Sequence, residues 1–225
     1  MRTTHQSKMF AIRMTADRAC FTNPAFTAER ATYDVPTPVA LEGTLKAIFW
    51  RRGLRWNVAK ISILSGIKHA NLRRNEVQRF GQIEEDTRNA FTQRMTTYLR
   101  DVDYRIDCYI DLEEKDRPAT DIVKGEAMFQ RYMDHGKQFH QPYLGCREFV
   151  CDVRWASEGD PDPIDESRDL GRMVFGYVWS GDRRQTILEY DARMVRGVIR
   201  VPAYDDVLRE HQKRVRAHLR TLEAG

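Results

Sequence analysis

The alternation at residues 102–112 limits what this chain can become more than any other stretch. Val102, Tyr104, Ile106, Cys108, Ile110 and Leu112 recur at every second position against Asp103, Arg105, Asp107, Tyr109 and Asp111. A period of two is that of a β-strand with one dry face and one wet face, because successive side chains point to opposite sides. Phe10, Ile12, Met14 and Ala16 alternate in the same way with Ala11, Arg13, Thr15 and Asp17 and predict a second half-buried strand. Trp56 to Leu64 is apolar on both faces, as a central strand would be. Thr37-Pro38 is a helix start, an N-cap followed by proline at the first helical position, and Leu41, Leu45 and Ile48 follow at helical spacing up to Trp50. A second helix is predicted from about Ile122 to His135, stopped by Gly136, and a strand from about Glu148 to Trp155.

The order β-α-β-β-α-β predicts an α+β fold, a ferredoxin-like (RRM-like) domain over residues 1–155, with an inserted segment at 65–101. The sheet lacks the aromatic RNA-stacking signature of RNA recognition motifs, so any bases are expected in loops rather than across the sheet face. Residues 156–170 form an acidic, proline-containing loop. Met173 to Trp179, Thr186 to Tyr190 and Val195 to Val201 then predict a small antiparallel β region attached to the first domain, over 156–203. Residues 204–225 close the chain with a C-terminal helix whose apolar line is Leu208, Val215, Leu219 and Leu222, with Asp205 and Asp206 at its positive end.

With 225 residues, 41% hydrophobic and 10% aromatic, the composition is that of a folded protein. The net charge of +4, from 37 Lys and Arg against 33 Asp and Glu, matters only where it is segregated. Two runs segregate it: Lys68 to Arg79, and Arg209 to Arg220. Such runs in a basic protein favour a polyanionic partner. Four cysteines without a CxxC pair predict no zinc site and no other cofactor, and point to buried free thiols in a reducing compartment. No run reaches the apolar length of a membrane span and no apolar h-region opens the chain, which predicts a cytoplasmic protein without a membrane partner.

Residues 128–149 combine these trends. A helical start runs into Gly136, after which Lys137, His140 and Arg147 sit among Phe139, Tyr143 and Phe149. Rings interleaved with cations are what a single-stranded nucleic acid needs, since bases stack on the rings and phosphates pair with the cations. The wording of the segment, Phe139-His140-Gln141-Pro142-Tyr143-Leu144-Gly145-Cys146-Arg147-Glu148-Phe149, resembles a signature of the Cas five family in its type I-C (Dvulg) form. Ala19-Cys20-Phe21-Thr22 with Glu29-Arg30, Val35-Pro36-Thr37-Pro38, Arg73-Arg74-Asn75-Glu76-Val77 and Leu99-Arg100-Asp101-Val102-Asp103-Tyr104 resemble it in the same order, over roughly residues 8–200.

The resemblance implies a protein that binds the 5′ handle of CRISPR RNA and caps one end of the type I-C Cascade complex beside its backbone and large subunits. It also implies cutting of the precursor RNA without metal, by attack of a ribose 2′-OH on its own 3′ phosphate. That reaction needs a base, a cation for the phosphorane charge and an acid for the leaving oxygen. In the family these fall to a tyrosine before the Trp of the first helix and to a Lys-His pair ahead of the second. The matching positions here are Phe49, Lys124 and Gly125, so only the lysine persists. Lys124 and His140 are therefore the candidate catalytic residues, His140 offering an imidazole that titrates near neutrality. His135, which closes the second helix, could supply that imidazole instead or simply cap the helix; Tyr132 reads as core or helix surface, and Glu126 as a base or, better, a dipole partner.

Arg30, Arg73, Arg74, Asn75, Lys137, Tyr143 and Arg147 are the candidate RNA contacts. Two adjacent guanidiniums at 73 and 74 could fork onto successive phosphates, with Asn75 reading a base edge. Three functions stay open: a nuclease that retains its product, a non-catalytic handle-binding subunit, and a general nucleic-acid binder whose basic helix also grips duplex DNA.

Overall fold

Among the described residues eight strands and three helices follow one another, with one strand more before the second helix than the expected β-α-β-β-α-β order. The computed structural model describes residues 6–27, 29–77, 91–112, 121–180 and 183–223. Strand β1 (Phe10–Ala19) buries Phe10, Ile12 and Met14 on one face. Helix α1 (Pro38–Ile48) starts where Thr37 caps it, its side chain accepting from the Ala40 N–H, with proline in the first turn. The helix stops two residues short of Trp50. Phe49 turns extended and its carbonyl accepts from the Trp56 indole N–H at 3.0 Å, which pins the exit.

Strand β2 (Leu54–Ile63) is followed by β3 (His69–Val77) and by β4 (Phe91–Leu112), a strand of 22 residues. The first part of β4 pairs with β3 and the second with both β1 and β2. Of the segment expected as an insertion, the described residues form β3 and the first part of β4, paired antiparallel with each other and continuous with the central strand. Asp101, at φ 51, marks the junction. Helix α2 (Ile122–Asp134) is capped by Asp121, which accepts from the Val123 N–H at 2.9 Å, and ends at Gly136 with φ 61. Strand β5 (Asp152–Trp155) is shorter than expected, because residues 142–151 are committed to loop hydrogen bonds.

The remaining elements are β6 (Arg168–Ser180), β7 (Arg183–Val195), β8 (Val198–Arg200) and α3 (Tyr204–Glu223). All pairings between these strands are antiparallel, and the sheet runs β5-β1-β4-β2-β8-β7-β6, with β3 on the free stretch of β4. The three late strands continue the first sheet, since β8 lies directly on β2 with Ile61 opposite Ile199. One apolar core joins Phe10, Leu45, Trp56, Ile106 and Phe129 to Met173, Leu188, Met194 and Val207. Helices α1 and α2 cover the dry face predicted by the alternation in β4. No helix among the described residues is long and apolar enough to cross a membrane.

The wet face is not bare. Arg13 grips Asp103 through two hydrogen bonds, Nε to Oδ1 at 2.8 Å and Nη2 to Oδ2 at 2.5 Å, and reaches Asp160 at 2.7 Å with Nη1. Lys60 pairs with Asp107 at 2.5 Å, and Arg55 with Asp111 at 3.3 Å. The acidic loop is fastened here by Asp160, whose side chain is only 2% exposed and which also accepts from Arg154 and from the Ser157 N–H. Paired charges therefore occupy the face on which RNA recognition motifs stack bases.

Candidate functional site

The segment after α2 is a strap whose backbone is fixed by the elements beneath it. The N–H groups of Phe139 and His140 donate to the Ala47 carbonyl at 2.9 and 2.8 Å, satisfying an end of α1 that would otherwise lack a partner. The Thr44 hydroxyl donates to the Tyr143 carbonyl at 2.7 Å, and the Cys20 N–H donates to the Leu144 carbonyl at 3.1 Å. Gly145, at φ 83, passes so close to β1 that a Cβ there would lie 2.0 Å from the Cys20 carbonyl oxygen. Leu144 and Phe149 point inward and are buried, while Phe139, His140 and Arg147 point out.

Between the strap and α1 lies a groove of about 490 Å³, lined among others by Lys46, Trp50, Phe139, His140, Tyr143 and Arg147. Trp50 is 58% exposed and Phe139 is 65% exposed, both large rings offered to solvent. The Phe139 and His140 rings meet edge to face with centroids 4.3 Å apart. Lys46 pairs at 3.4 Å with Glu42. Burial pushes the Glu42 carboxyl up, and Lys46 opposes that shift. A groove of flat rings beside cations can hold one or two bases and the phosphates that join them. Trp50 is the residue that the sequence reading passed over. It lies off the Leu41–Leu45–Ile48 line, and a tryptophan off the apolar line just past a helix end is the signal that could have found it.

The strap leads from this groove to a second station. Glu148 bridges two arginines: Arg74 of β3 forms a short ion pair with it, and Arg30 lies 3.8 Å away. The Arg74 guanidinium also sits 5.7 Å from the Phe149 ring centroid. Burial works against ionisation of Glu148, but its backbone hydrogen bond and the two arginines outweigh it, holding the carboxyl below its ordinary value. Arg73 and Asn75 are elsewhere. They belong to the opposite face of β3, with His69 and Asn71, because neighbours on a strand alternate. The two adjacent guanidiniums expected to fork together thus leave opposite faces of β3: Arg74 faces the strap and Arg73 faces away.

The candidate catalytic residues sit on different elements. His140 lines the groove, and Lys124 is exposed in the first turn of α2 and does not line it. Eight residues of helix, about 12 Å of rise, separate Lys124 from Tyr132, whose ring meets Phe49 at 5.6 Å. Phe49 is 3% exposed and packs against Phe129 and Tyr132. Gly125 is a packing residue, since a Cβ there would come within 2.9 Å of Leu54 Cδ1. His135 caps α2, its Nδ1 lying 2.8 Å from the Arg131 carbonyl. Lys137 is exposed at the start of the strap, its N–H donating to the Tyr132 carbonyl at 2.8 Å.

On α3, Arg209, Lys213 and Arg214 each meet a carboxylate, which reduces the basic face expected of that helix. Among the described residues no group of three or more His, Cys, Asp or Glu could hold a metal ion.

Residues 9–221 match the model of a family described as CRISPR-associated protein (Cas_Cas5), Cas5d. A CRISPR pre-crRNA endoribonuclease Cas5d of Mannheimia succiniciproducens is 32% identical over 213 residues, covering 84% of this chain and 92% of that protein. A CRISPR pre-crRNA endoribonuclease Cas5d of Thermus thermophilus is 36% identical over 176 residues, 76% of this chain and 74% of its own. A crystal structure of a CRISPR-associated protein superposes with a TM-score of 0.69 at 24% identity, covering 91% of this chain and 96% of that one. Protein SMU1763c from Streptococcus mutans superposes at 0.66 with 22% identity, over 89% and 95% of the two chains.

Proposed function

The chain belongs to the Cas5d family of CRISPR-associated proteins, and from that premise we propose that it is a pre-crRNA endoribonuclease that keeps the 5′ handle of its product. The observation that carries this reading is the groove at the end of α1, where Trp50, Phe139 and Tyr143 stand among Lys46, His140 and Arg147. A single strand lying in it would continue along the strap to Arg30 and Arg74, which replace solvent at its phosphates while rings stack its bases. The strands ordered β5-β1-β4-β2 support a ferredoxin-like core. In this reading residues 1–155 bind and cut the RNA, 156–203 extend the sheet, and the region 204–225 carries the closing helix α3 (Tyr204–Glu223).

The proposed chemistry uses what this chain retains. His140, in the groove, moves the proton of the 2′-OH or of the leaving oxygen, and Lys124, outside it on the first turn of α2, stabilises the phosphorane charge once bound RNA draws the two together. No metal enters the step. Phe49 and Gly125 withhold the phenol and the imidazole of the family pattern, so cutting is expected to be slow. The retained handle then seats the protein at one end of type I-C Cascade, against the backbone and large subunits, in the cytoplasm. Duplex DNA would meet α3 through exposed cations such as Arg216, weakly and without sequence preference.

The test is incubation of the protein with its own labelled repeat RNA in the presence of chelator. Cutting that leaves a 2′,3′-cyclic phosphate and a 5′-OH is expected, abolished by Lys124→Ala and slowed by roughly 10²- to 10⁴-fold in His140→Ala. Unimpaired cutting by both variants would move the chemistry elsewhere. Tight handle binding without any cutting by the wild type would leave a non-catalytic handle-binding subunit.

A further inference from the structure

Two of the four free cysteines come together where the strap crosses the end of β1. Cys20 is fully buried, and Cys146 is half-buried one residue beyond the glycine that presses on the Cys20 carbonyl. The Cys146 Sγ lies 3.7 Å from the Cys20 carbonyl oxygen and 3.7 Å from the Arg30 Nη1. The Cys20 Sγ lies 3.7 Å from the Thr97 carbonyl oxygen, and the two thiols are near enough to govern each other's ionisation. One sulfur is thus open to small solutes beside a guanidinium, and the other is sealed directly behind it.

The chemistry of the two sulfurs differs accordingly. The neighbouring Cys20 thiol lowers Cys146 below the ordinary thiol value; burial and Glu148 oppose this, and the Arg30 charge reinforces it. The same interaction, together with burial, raises Cys20. The other two thiols are inert by comparison: burial pushes Cys151 up to about 12 and raises Cys108 as well. A thiolate that is accessible and sits beside a cation is the form that attacks oxidants.

We propose that Cys146 is an oxidant-sensing nucleophile and Cys20 its resolving partner, so that a hydroperoxide converts the pair into a disulfide that fastens the strap to the end of β1. The Cys146 thiolate attacks one peroxide oxygen, the O–O bond breaks, and hydroxide leaves to take up a proton as water. The product is a sulfenic acid. The Cys20 sulfur then attacks that sulfur, an S–S bond forms and the S–O bond breaks. The second hydroxide leaves with the Cys20 proton as water. Two thiols and one hydrogen peroxide thus give one disulfide and two waters, and a small thiol reverses the change by exchange. Transient, sensing disulfides are the kind found in reducing compartments. This site does not depend on the RNA reading.

The test uses the reduced full-length protein without RNA. Iodoacetamide labelling followed by peptide mass mapping is expected to modify Cys146 at least roughly tenfold faster than Cys108 or Cys151. That labelling should persist at pH values below about 8.5, where an ordinary thiol slows. Hydrogen peroxide should then give one cross-linked peptide joining residues 20 and 146, lost again on adding dithiothreitol. Cys20→Ser should leave a sulfenic acid on Cys146 that dimedone traps, and Cys146→Ser should leave Cys20 unmodified. Labelling of Cys146 no faster than Cys151 would overturn the proposal. So would oxidation of wild-type Cys146 to the sulfinic acid with no cross-link.

Discussion

Gly145 and Gly136 offer a paired experiment, because both are left-handed glycines of the same segment and only one is crowded. At Gly136 (φ 61) nothing lies within 4 Å of where a Cβ would stand, so Gly136→Ala meets only the backbone penalty of about 1–2 kcal/mol. At Gly145 (φ 83) the same penalty applies, but the new carbon would lie 2.0 Å from the Cys20 carbonyl oxygen and 2.6 Å from its carbonyl carbon. Ordinary C···O contacts fall at about 3.3–3.6 Å, and a carbonyl at a strand end cannot rotate aside, so the strap must retreat by more than about 1 Å.

That retreat breaks the hydrogen bond from Cys20 N–H to the Leu144 carbonyl, about 1 kcal/mol net. It also loosens Leu144 and Phe149, which are buried beneath the strap, for about another 1–2 kcal/mol. Gly145→Ala should therefore cost about 3–5 kcal/mol against about 1–2 for Gly136→Ala. With a urea slope of about 2–3 kcal/mol/M, the two unfolding midpoints should differ by about 1 M. Handle RNA affinity should fall for Gly145→Ala and hold for Gly136→Ala. Equal midpoints for the two variants would refute the claim that the contact with β1 fixes the strap.

Other outcomes follow from the same geometry. Asp160→Asn should destabilise the protein at neutral pH by about 2–4 kcal/mol, since it removes the buried acceptor of Arg13 and Arg154. Burial opposes ionisation of Asp160, but hydrogen bonds from Arg154, Ser157 and Arg13 prevail and hold its carboxyl far below the usual range. Its contribution is therefore complete above the unfolded carboxylate value of about 3.9 and disappears as pH falls through the lower folded value. Urea melts between neutral pH and pH 2 should show the wild type losing more stability than the variant; parallel acid profiles would count against the network. Trp50→Ala should weaken handle binding by about 1–3 kcal/mol per stacked base, roughly 5- to 150-fold, with an unchanged melting temperature, and unaltered binding would remove Trp50 from the site. Arg73→Ala and Arg74→Ala should have additive effects on RNA affinity, because the side chains leave opposite faces of β3; strong coupling in a double-mutant cycle would contradict that placement.

How much of this could be read from sequence depended on whether a segment has a dry face. The alternations in β1 and in residues 102–112 of β4 were legible because one side of each is packed beneath helices. Residues 69–77 show no such signal. His69, Asn71, Arg73 and Asn75 lie on one side and Arg74 lies half-buried on the other, so hydrophobic periodicity cannot announce the strand. That is why Arg73 and Arg74 read as a single fork. The Thr37-Pro38 start of α1 was equally plain, whereas its end depended on two distant donors, the Trp56 indole and the strap, which no local pattern encodes. The rings and cations of the strap were visible as letters. Their partner Trp50 across the groove, and the seating of β8 on β2, are products of tertiary packing alone.

The strap is held by its main chain, through the Ala47 carbonyl, the Thr44 hydroxyl and the Cys20 N–H, while the side chains at 139, 140, 143 and 147 take little part in holding it. Shape and vocabulary are thereby uncoupled. On the proposed RNA-binding reading, substitutions at those four positions rewrite which nucleotides are favoured without redrawing the loop that presents them. A host whose repeat drifts in sequence could thus be followed by a few surface changes, leaving the scaffold untouched.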